Sequence, residues 1–188
     1  KFLESELDLD DALRATGILA AVPALYPELA RLGGVASILG LAAHENPDVG
    51  ASAVALLADL ADVDDADPAG RAGAAALAGA LAAAGGVELP AARPGALDER
   101  EHADQVHATL GVFEHCVDAE PALAALACGM GCELVPWLLG RAQRDGDAAV
   151  ALYAAELLAI LAGADEKSAA AVARRPFEGA DGVDALLR

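Results

Sequence analysis

The sequence predicts an all-α fold of stacked helices, and composition, apolar spacing and internal repetition each support this prediction. Ala and Leu supply most of an apolar content of 56%, while aromatic residues make up 3%. Ala and Leu are the strongest helix formers, whereas strands favour β-branched and aromatic residues. No long alternating run of Val, Ile and Thr competes with the helical spacing.

Two helical segments precede the first full repeat. The segment ESELDLDDALRATG is predicted to begin at a cap on Ser5, and the segment VPALYPELARL carries Pro23 near its start. Residues 1–32 are therefore predicted to form an N-terminal helical cap, which would cover the apolar face of the first repeat.

The clearest helix starts at Asn46-Pro47-Asp48. Asn46 can accept a backbone hydrogen bond, Pro47 has no amide to leave unpaired, and Asp48 suits the positive end of the helix dipole. An apolar stripe follows at helical spacing: Ala53, Leu56, Leu57, Leu60 and Ala61. The opposite face carries Ser52, Ala55, Asp59 and Asp62. The pattern predicts a helix from about Pro47 to Asp62.

A glycine-rich helix start recurs along the chain. Gly33-Gly34-Val35 returns as Gly85-Gly86-Val87, and related starts lie at 129–132 and 179–188. The intervals between these starts are roughly 45 to 52 residues, close to the 40 to 47 of armadillo and HEAT repeats. The sequence therefore predicts an armadillo/HEAT-like right-handed superhelical solenoid.

The glycine-rich starts divide the chain into units. Residues 33–84 form a first repeat with the acidic insertion DVDDADPAG, residues 85–128 a second and residues 129–178 a third. Residues 179–188 would begin a further repeat that is cut short. The last long helix of each unit, predicted at about 47–62, 100–118 and 148–162, should stack on its neighbours.

Aligning these three helices predicts a groove. Core stripes on the second and third helices are Val106, Leu110, Phe113, Val117 and Val150, Ala154, Leu157, Leu161. The opposite faces form three rows, which are Ala55/Gly111/Glu156, Asp59/His115/Ile160 and Asp62/Asp118/Gly163. The candidate partner-binding residues on these rows are Asp59, Asp62, His115, Asp118 and Glu156.

The charge balance favours a basic partner. Twelve basic and 30 acidic residues give a net charge of −18, which disfavours direct nucleic-acid binding, because that depends on Lys and Arg. The excess Asp and Glu side chains can instead attract a basic partner. The alternative is that these side chains only keep an apolar chain in solution.

No pattern indicates an enzyme, a cofactor or a metal site. Gly-x-Ser-x-Gly, P-loop and dinucleotide-loop motifs are missing from the sequence. The acidic loop lacks EF-hand spacing, and His115, Cys116, Cys128 and Cys132 match no common zinc pattern. Three cysteines indicate a reducing compartment. The longest uncharged run, residues 72–87, is too short to cross a membrane.

The sequence resembles the nuclear beta-catenin-like proteins. The opening run KFLESELDLDDALRATGILAAVPALYPELARLGGVASILGLAAHENPDV is similar to their N-terminal armadillo region. The segments ADQVHATLGVFEHCVD, GCELVPWLLGRAQ, LYAAELLAILAGADE and DGVDALLR follow in the same order. The resemblance covers essentially the whole chain, although many bulky positions are Ala here.

The resemblance implies a nuclear, non-enzymatic scaffold of the pre-mRNA splicing machinery, associated with the nineteen complex. Such a protein would bind basic nuclear-localisation-type segments of splicing factors, including the cell-division-cycle-five-like protein. An importin-like transport adaptor is the alternative, but its groove ladders of Trp and Asn are missing from the rows here. Self-association of the full-length protein stays open.

Overall fold

The computed structural model describes residues 2–64, 67–86, 103–129, 131–143 and 148–176. Every regular element in these ranges is helical, which confirms the all-α prediction. Two short 3-10 helices span Gly17–Ala21 (η1) and Pro23–Leu25 (η2). The α-helices are α1 Phe2–Thr16, α2 Tyr26–Arg31, α3 Gly34–Ala42, α4 Pro47–Ala61, α5 Pro68–Ala83, α6 Ala103–Ala119, α7 Ala122–Ala127, α8 Leu134–Gln143, α9 Ala148–Ala164 and α10 Glu166–Arg174.

The long helices form one layer. Helix α4 packs against α6, and α6 packs against α9, so the three helices predicted to stack are neighbours in chain order. The prediction that α4 is the last long helix of residues 33–84 is wrong, because α5 follows it at Pro68–Ala83. Helix α1 packs on the other side of α4 and extends this layer by one helix. Helices α3 and α8 pair with α4 and α9, respectively, and form part of a second layer behind the first.

Helix α4 begins as its sequence predicts. The Asn46 side-chain oxygen accepts a hydrogen bond from the backbone N–H of Asp48 at 2.9 Å, and Pro47 is the first helical residue. The helix ends at Ala61, and the backbone N–H of Asp62 closes its last turn on the Ala58 carbonyl. The whole predicted stripe is buried: Ala53, Leu56, Leu57, Leu60 and Ala61.

The two Gly-Gly pairs make the same turn. Gly33 and Gly85 have φ values of 76° and 75°, a left-handed conformation that other residues rarely adopt. A side chain on Gly34 would collide with Leu29, and one on Gly86 would approach the Leu81 carbonyl to 2.9 Å. Each glycine lies five positions after the leucine that it meets. This repeated geometry supports the internal repetition read from the sequence.

The core stripes of α6 and α9 are also confirmed. The eight predicted positions are all buried: Val106, Leu110, Phe113, Val117, Val150, Ala154, Leu157 and Leu161. A small apolar cavity of about 10 Å³ remains where α3 to α7 meet, and Leu57, Phe113 and Leu123 are among its lining residues. The side chains of these helices therefore leave only this small space at the point where they meet.

The predicted start of the first helix needs correction. Ser5 is not a cap, because α1 already begins at Phe2 and Ser5 lies inside its first turns. In the acidic insertion, the Asp67 carboxylate accepts hydrogen bonds from the N–H groups of Ala69 and Gly70 at 2.6 and 3.0 Å. Asp67 thereby caps α5. Asp65 and the predicted repeat start at 179–188 lie outside the described residues.

The last described turn is held by a buried arginine. Arg175 is 5% exposed, and its guanidinium donates hydrogen bonds to the carbonyls of Gly129 and Cys132 at 2.6 and 3.1 Å. It also reaches the Cys128 carbonyl at 3.4 Å. These carbonyls belong to the connection between α7 and α8, so Arg175 fastens the chain after α10 to the preceding helices.

Candidate partner-binding surface

The predicted groove residues lie on adjacent helices and are all exposed. Asp59 is on α4, and Asp62 is the residue that ends it. His115 and Asp118 are on the last turns of α6, and Glu156 is near the middle of α9. Because α4, α6 and α9 are neighbours, these side chains stand on one layer. Whether they bind a partner stays a prediction.

These three helices carry carboxylates and no cation. All 12 Lys and Arg residues of the chain lie outside the ranges of α4, α6 and α9. Within the described residues, Asp59, Asp118 and Glu156 have no ion-pair partner. In contrast, Asp10 on α1 and Glu28 on α2 each pair with an arginine on their own helix. The layer therefore presents negative charge that the described part of the chain does not neutralise.

A pocket at one end of the layer contains two of the predicted residues. Its volume is about 380 Å³, and His115 and Asp118 line it together with residues of α5 and the end of α4. The other lining residues are Ala61, Val63, Arg71, Ala74 and Ala119. The His115 ring nitrogen Nδ1 lies 2.8 Å from the Gly111 carbonyl oxygen. Asp59, Asp62 and Glu156 do not line this pocket.

Helix α1 contributes a second pocket that the sequence reading missed. It measures about 410 Å³ between α1 and the start of α4, with Leu7, Asp10, Asp48 and Ser52 among its lining residues. The Ser52 hydroxyl donates to Asp10 at 2.5 Å and lowers the pKa of that carboxyl, as does the hydrogen bond from Arg14. Because residues 1–32 were predicted only to cap the first repeat, the extension of the layer by α1 was not predicted.

Tyr153 and Glu114 join α9 to α6, and this contact was also missed. The Tyr153 hydroxyl donates to a Glu114 carboxylate oxygen at 2.6 Å. The Tyr153 ring meets the His107 ring at 84°, with ring centroids 5.9 Å apart. Burial, the hydrogen bond and the charge of Glu114 raise the pKa of Tyr153 above its ordinary value of 10.0. The predicted rows set Gly111 beside Ala55 and Glu156 and did not include Tyr153, so they gave no signal for this contact.

The cysteines and Trp137 belong to the packing. Cys116, Cys128 and Cys132 are buried thiols, and burial raises the pKa of Cys116 to about 12. Trp137 packs partly against the core, and the Arg141 guanidinium carbon lies 5.1 Å from its ring centroid. The described ranges contain no cluster of three His, Cys, Asp or Glu residues placed to hold a metal ion. No helix within them has the length and apolarity to cross a membrane.

The fold and the exposed acidic layer define a class of protein, namely a helical-repeat protein whose stacked long helices present one continuous surface. The family described as Catenin-beta-like, Arm-motif containing nuclear, matches residues 1–188. The chain belongs to this family. The solenoid prediction and the resemblance seen in the sequence are thereby confirmed.

Named relatives agree with this assignment. The chain is 38% identical over 192 residues to Beta-catenin-like protein 1 of Rattus norvegicus and 36% identical to that of Homo sapiens. It is 29% identical over 193 residues to the Beta-catenin-like protein 1 homolog of Schizosaccharomyces pombe. Each match covers 100% of this chain and 32% of the relative, so the chain spans about a third of their length.

Proposed function

We propose that the chain is part of a nuclear, non-enzymatic scaffold of the splicing machinery that binds basic, nuclear-localisation-type segments of splicing factors. One observation carries this proposal most directly. The stacked helices α4, α6 and α9 contain no Lys or Arg, and their exposed carboxylates have no ion-pair partner within the described residues. The nuclear part of the proposal draws support from the family description, which names an Arm-motif containing nuclear group.

A basic peptide fits this surface in size as well as in charge. Packed helices lie about 8–10 Å apart, and an extended chain advances about 3.3 Å per residue. A peptide that crosses the layer would therefore meet a new helix about every three residues. From α1 to α9 the path would take about eight residues. Exposed ion pairs are weak singly, so several acting together are needed for useful affinity.

The charge also favours rapid encounter. A surface of one sign steers an oppositely charged partner, and this effect falls as salt rises. Transport adaptors of the importin type hold extended basic peptides on ladders of Trp and Asn. The matching rows here read Ala55/Gly111/Glu156 and Asp59/His115/Ile160, which favours the scaffold over the transport adaptor.

The proposal is tested by affinity capture and by direct binding. The chain, immobilised on beads, is expected to retain splicing factors from a nuclear extract. A fluorescent Lys/Arg-rich peptide of about ten residues should bind in solution, whereas the same peptide with Gln at each basic position should not. Capture of import receptors in place of splicing factors would favour the transport adaptor, and equal binding of both peptides would contradict the charge-based proposal.

A further inference from the structure

The contact between Tyr153 and Glu114 places a fixed carboxylate on the layer between α6 and α9. These residues are 39 positions apart in sequence, and the hydroxyl reaches one carboxylate oxygen at 2.6 Å. The close approach depends on Gly111, because a Cβ there would lie 3.2 Å from the Tyr153 hydroxyl oxygen. Tyr153 is thus seated against α6, and the Glu114 carboxylate is turned toward α9.

Several polar atoms around this contact have no hydrogen-bond partner within the described residues. Tyr153 uses one oxygen of Glu114, and the other oxygen has no hydrogen-bond donor within the described residues. Glu156, one turn after Tyr153 on α9, is exposed and unpaired in the same part of the chain. Both carboxylates are close enough to act on the pKa of Tyr153. The buried Nε2 atom of His107, beside the Tyr153 ring, also has no hydrogen-bond partner there.

We propose that Tyr153 is a positioning residue, which holds Glu114 so that Glu114 and Glu156 together receive an arginine side chain of the bound peptide. This inference rests on the proposed function. A guanidinium is planar and has five N–H donors in a rigid fork, so it can bond two carboxylates at once and stack on an aromatic ring. A lysine ammonium is a compact point charge and gains less from carboxylates held in fixed directions.

The test measures two peptides on three proteins. One basic peptide carries Arg at every basic position, and its partner carries Lys at the same positions. Both are titrated against the parent, Tyr153→Phe and the matched control Tyr26→Phe. Tyr26 is fully buried and its hydroxyl has no partner within the described residues, so its removal takes no hydrogen bond from the layer.

The parent should bind the Arg peptide about 5-fold or more tightly than the Lys peptide. Tyr153→Phe should weaken the Arg peptide about 3- to 10-fold, a loss in the range of one ordinary net hydrogen bond, and reduce the preference for Arg. Glu114→Gln should reduce the same preference, and Tyr26→Phe should leave both affinities unchanged. A loss of affinity caused only by unfolding would affect both peptides equally and would overturn the positioning role.

Gly111→Ala separates positioning from stability. Alanine favours the helix over glycine, yet its Cβ would push the Tyr153 hydroxyl by a few tenths of an ångström. We expect an unfolding temperature no lower than that of the parent, together with a reduced preference for Arg. If the parent binds basic peptides while Tyr153→Phe and Gly111→Ala keep its Arg preference, this inference alone is wrong. If the parent binds neither peptide, the proposed function is wrong as well.

Discussion

Leu57→Ala should destabilise the chain by roughly 2 to 4 kcal/mol. Leu57 is 0% exposed in the middle of α4, and it already borders the small apolar cavity of about 10 Å³. Truncation removes three carbons from the core, and each is worth about 0.8 kcal/mol in transfer free energy. The new space would join the existing cavity, and the void that does not collapse adds a further cost.

The assay for this prediction is urea unfolding followed by circular dichroism. The matched control is Leu152→Ala on α9, because Leu152 is 61% exposed and makes the same change of residue type within a long helix. The control should change the free energy of unfolding by less than about 0.5 kcal/mol. Equal free energies for Leu57→Ala and the parent would refute the assignment of α4 as a core helix of the layer.

Three further predictions concern single contacts. Arg175→Ala should cost roughly 1.5 to 3 kcal/mol in urea unfolding, because it removes a charged donor from the Cys128 and Cys132 carbonyls, whereas the Gly129 carbonyl keeps the Cys132 N–H; an unchanged midpoint would contradict that role. Asp67→Ala should cost about 1 kcal/mol through loss of the α5 cap, whereas Asp67→Asn, which can still cap, should cost less. Hydrogen bonds from the backbone and side chain of Ser168 lower the pKa of Asp165 below its ordinary value of 3.8, so its contribution to stability is complete above that value. That contribution is lost as pH falls through the lowered pKa. In this pH range, the difference in free energy of unfolding between the parent and Asp165→Asn should therefore shrink. A constant difference would show that the charge of Asp165 is not involved.

Local signals made the long helices predictable. Asn46, Pro47 and the stripe that contains Leu57 and Leu60 all lie within one stretch, and each acts through neighbours in sequence. The same reasoning misplaced the start of α1 at Ser5. Serine is a common cap residue, but α1 begins three residues before Ser5, at Phe2. The two glycine turns were predictable because the same Gly-Gly-Val sequence occurs twice.

Contacts between distant residues were not predictable. Tyr153 and Glu114 meet only because α6 and α9 pack side by side with Gly111 between them. Arg175 follows Arg174 directly, and nothing in the sequence distinguishes the buried arginine from its exposed neighbour. The groove rows were derived from periodicity, which predicts the face of a helix but not the hydrogen bonds that cross between helices.

Experiments that change the charge of the layer need control variants in which other Asp or Glu residues are replaced without a loss of stability. Glu28 pairs with Arg31, and Asp165 caps α10 through the N–H groups of Lys167 and Ser168. Changing either acid would alter local stability as well as net charge. Glu45 and Glu133 are exposed and have no hydrogen bond or ion pair through their side chains within the described residues, so they are the better controls. Because Glu133 directly precedes α8, its Lys variant is checked by an unfolding measurement as well.

The most direct test compares two double variants of equal charge in a salt series of peptide affinities. Asp59→Lys with Glu156→Lys changes the layer, and Glu45→Lys with Glu133→Lys changes acids elsewhere. The affinity of the parent for a Lys/Arg-rich peptide should fall as salt rises, because the Debye length falls from about 10 Å at 0.1 M to about 3 Å at 1 M. The layer variant should lose most of the affinity at low salt, and the control variant should lose little. Equal losses in the two variants would contradict a placed binding surface and leave net charge as the source of attraction.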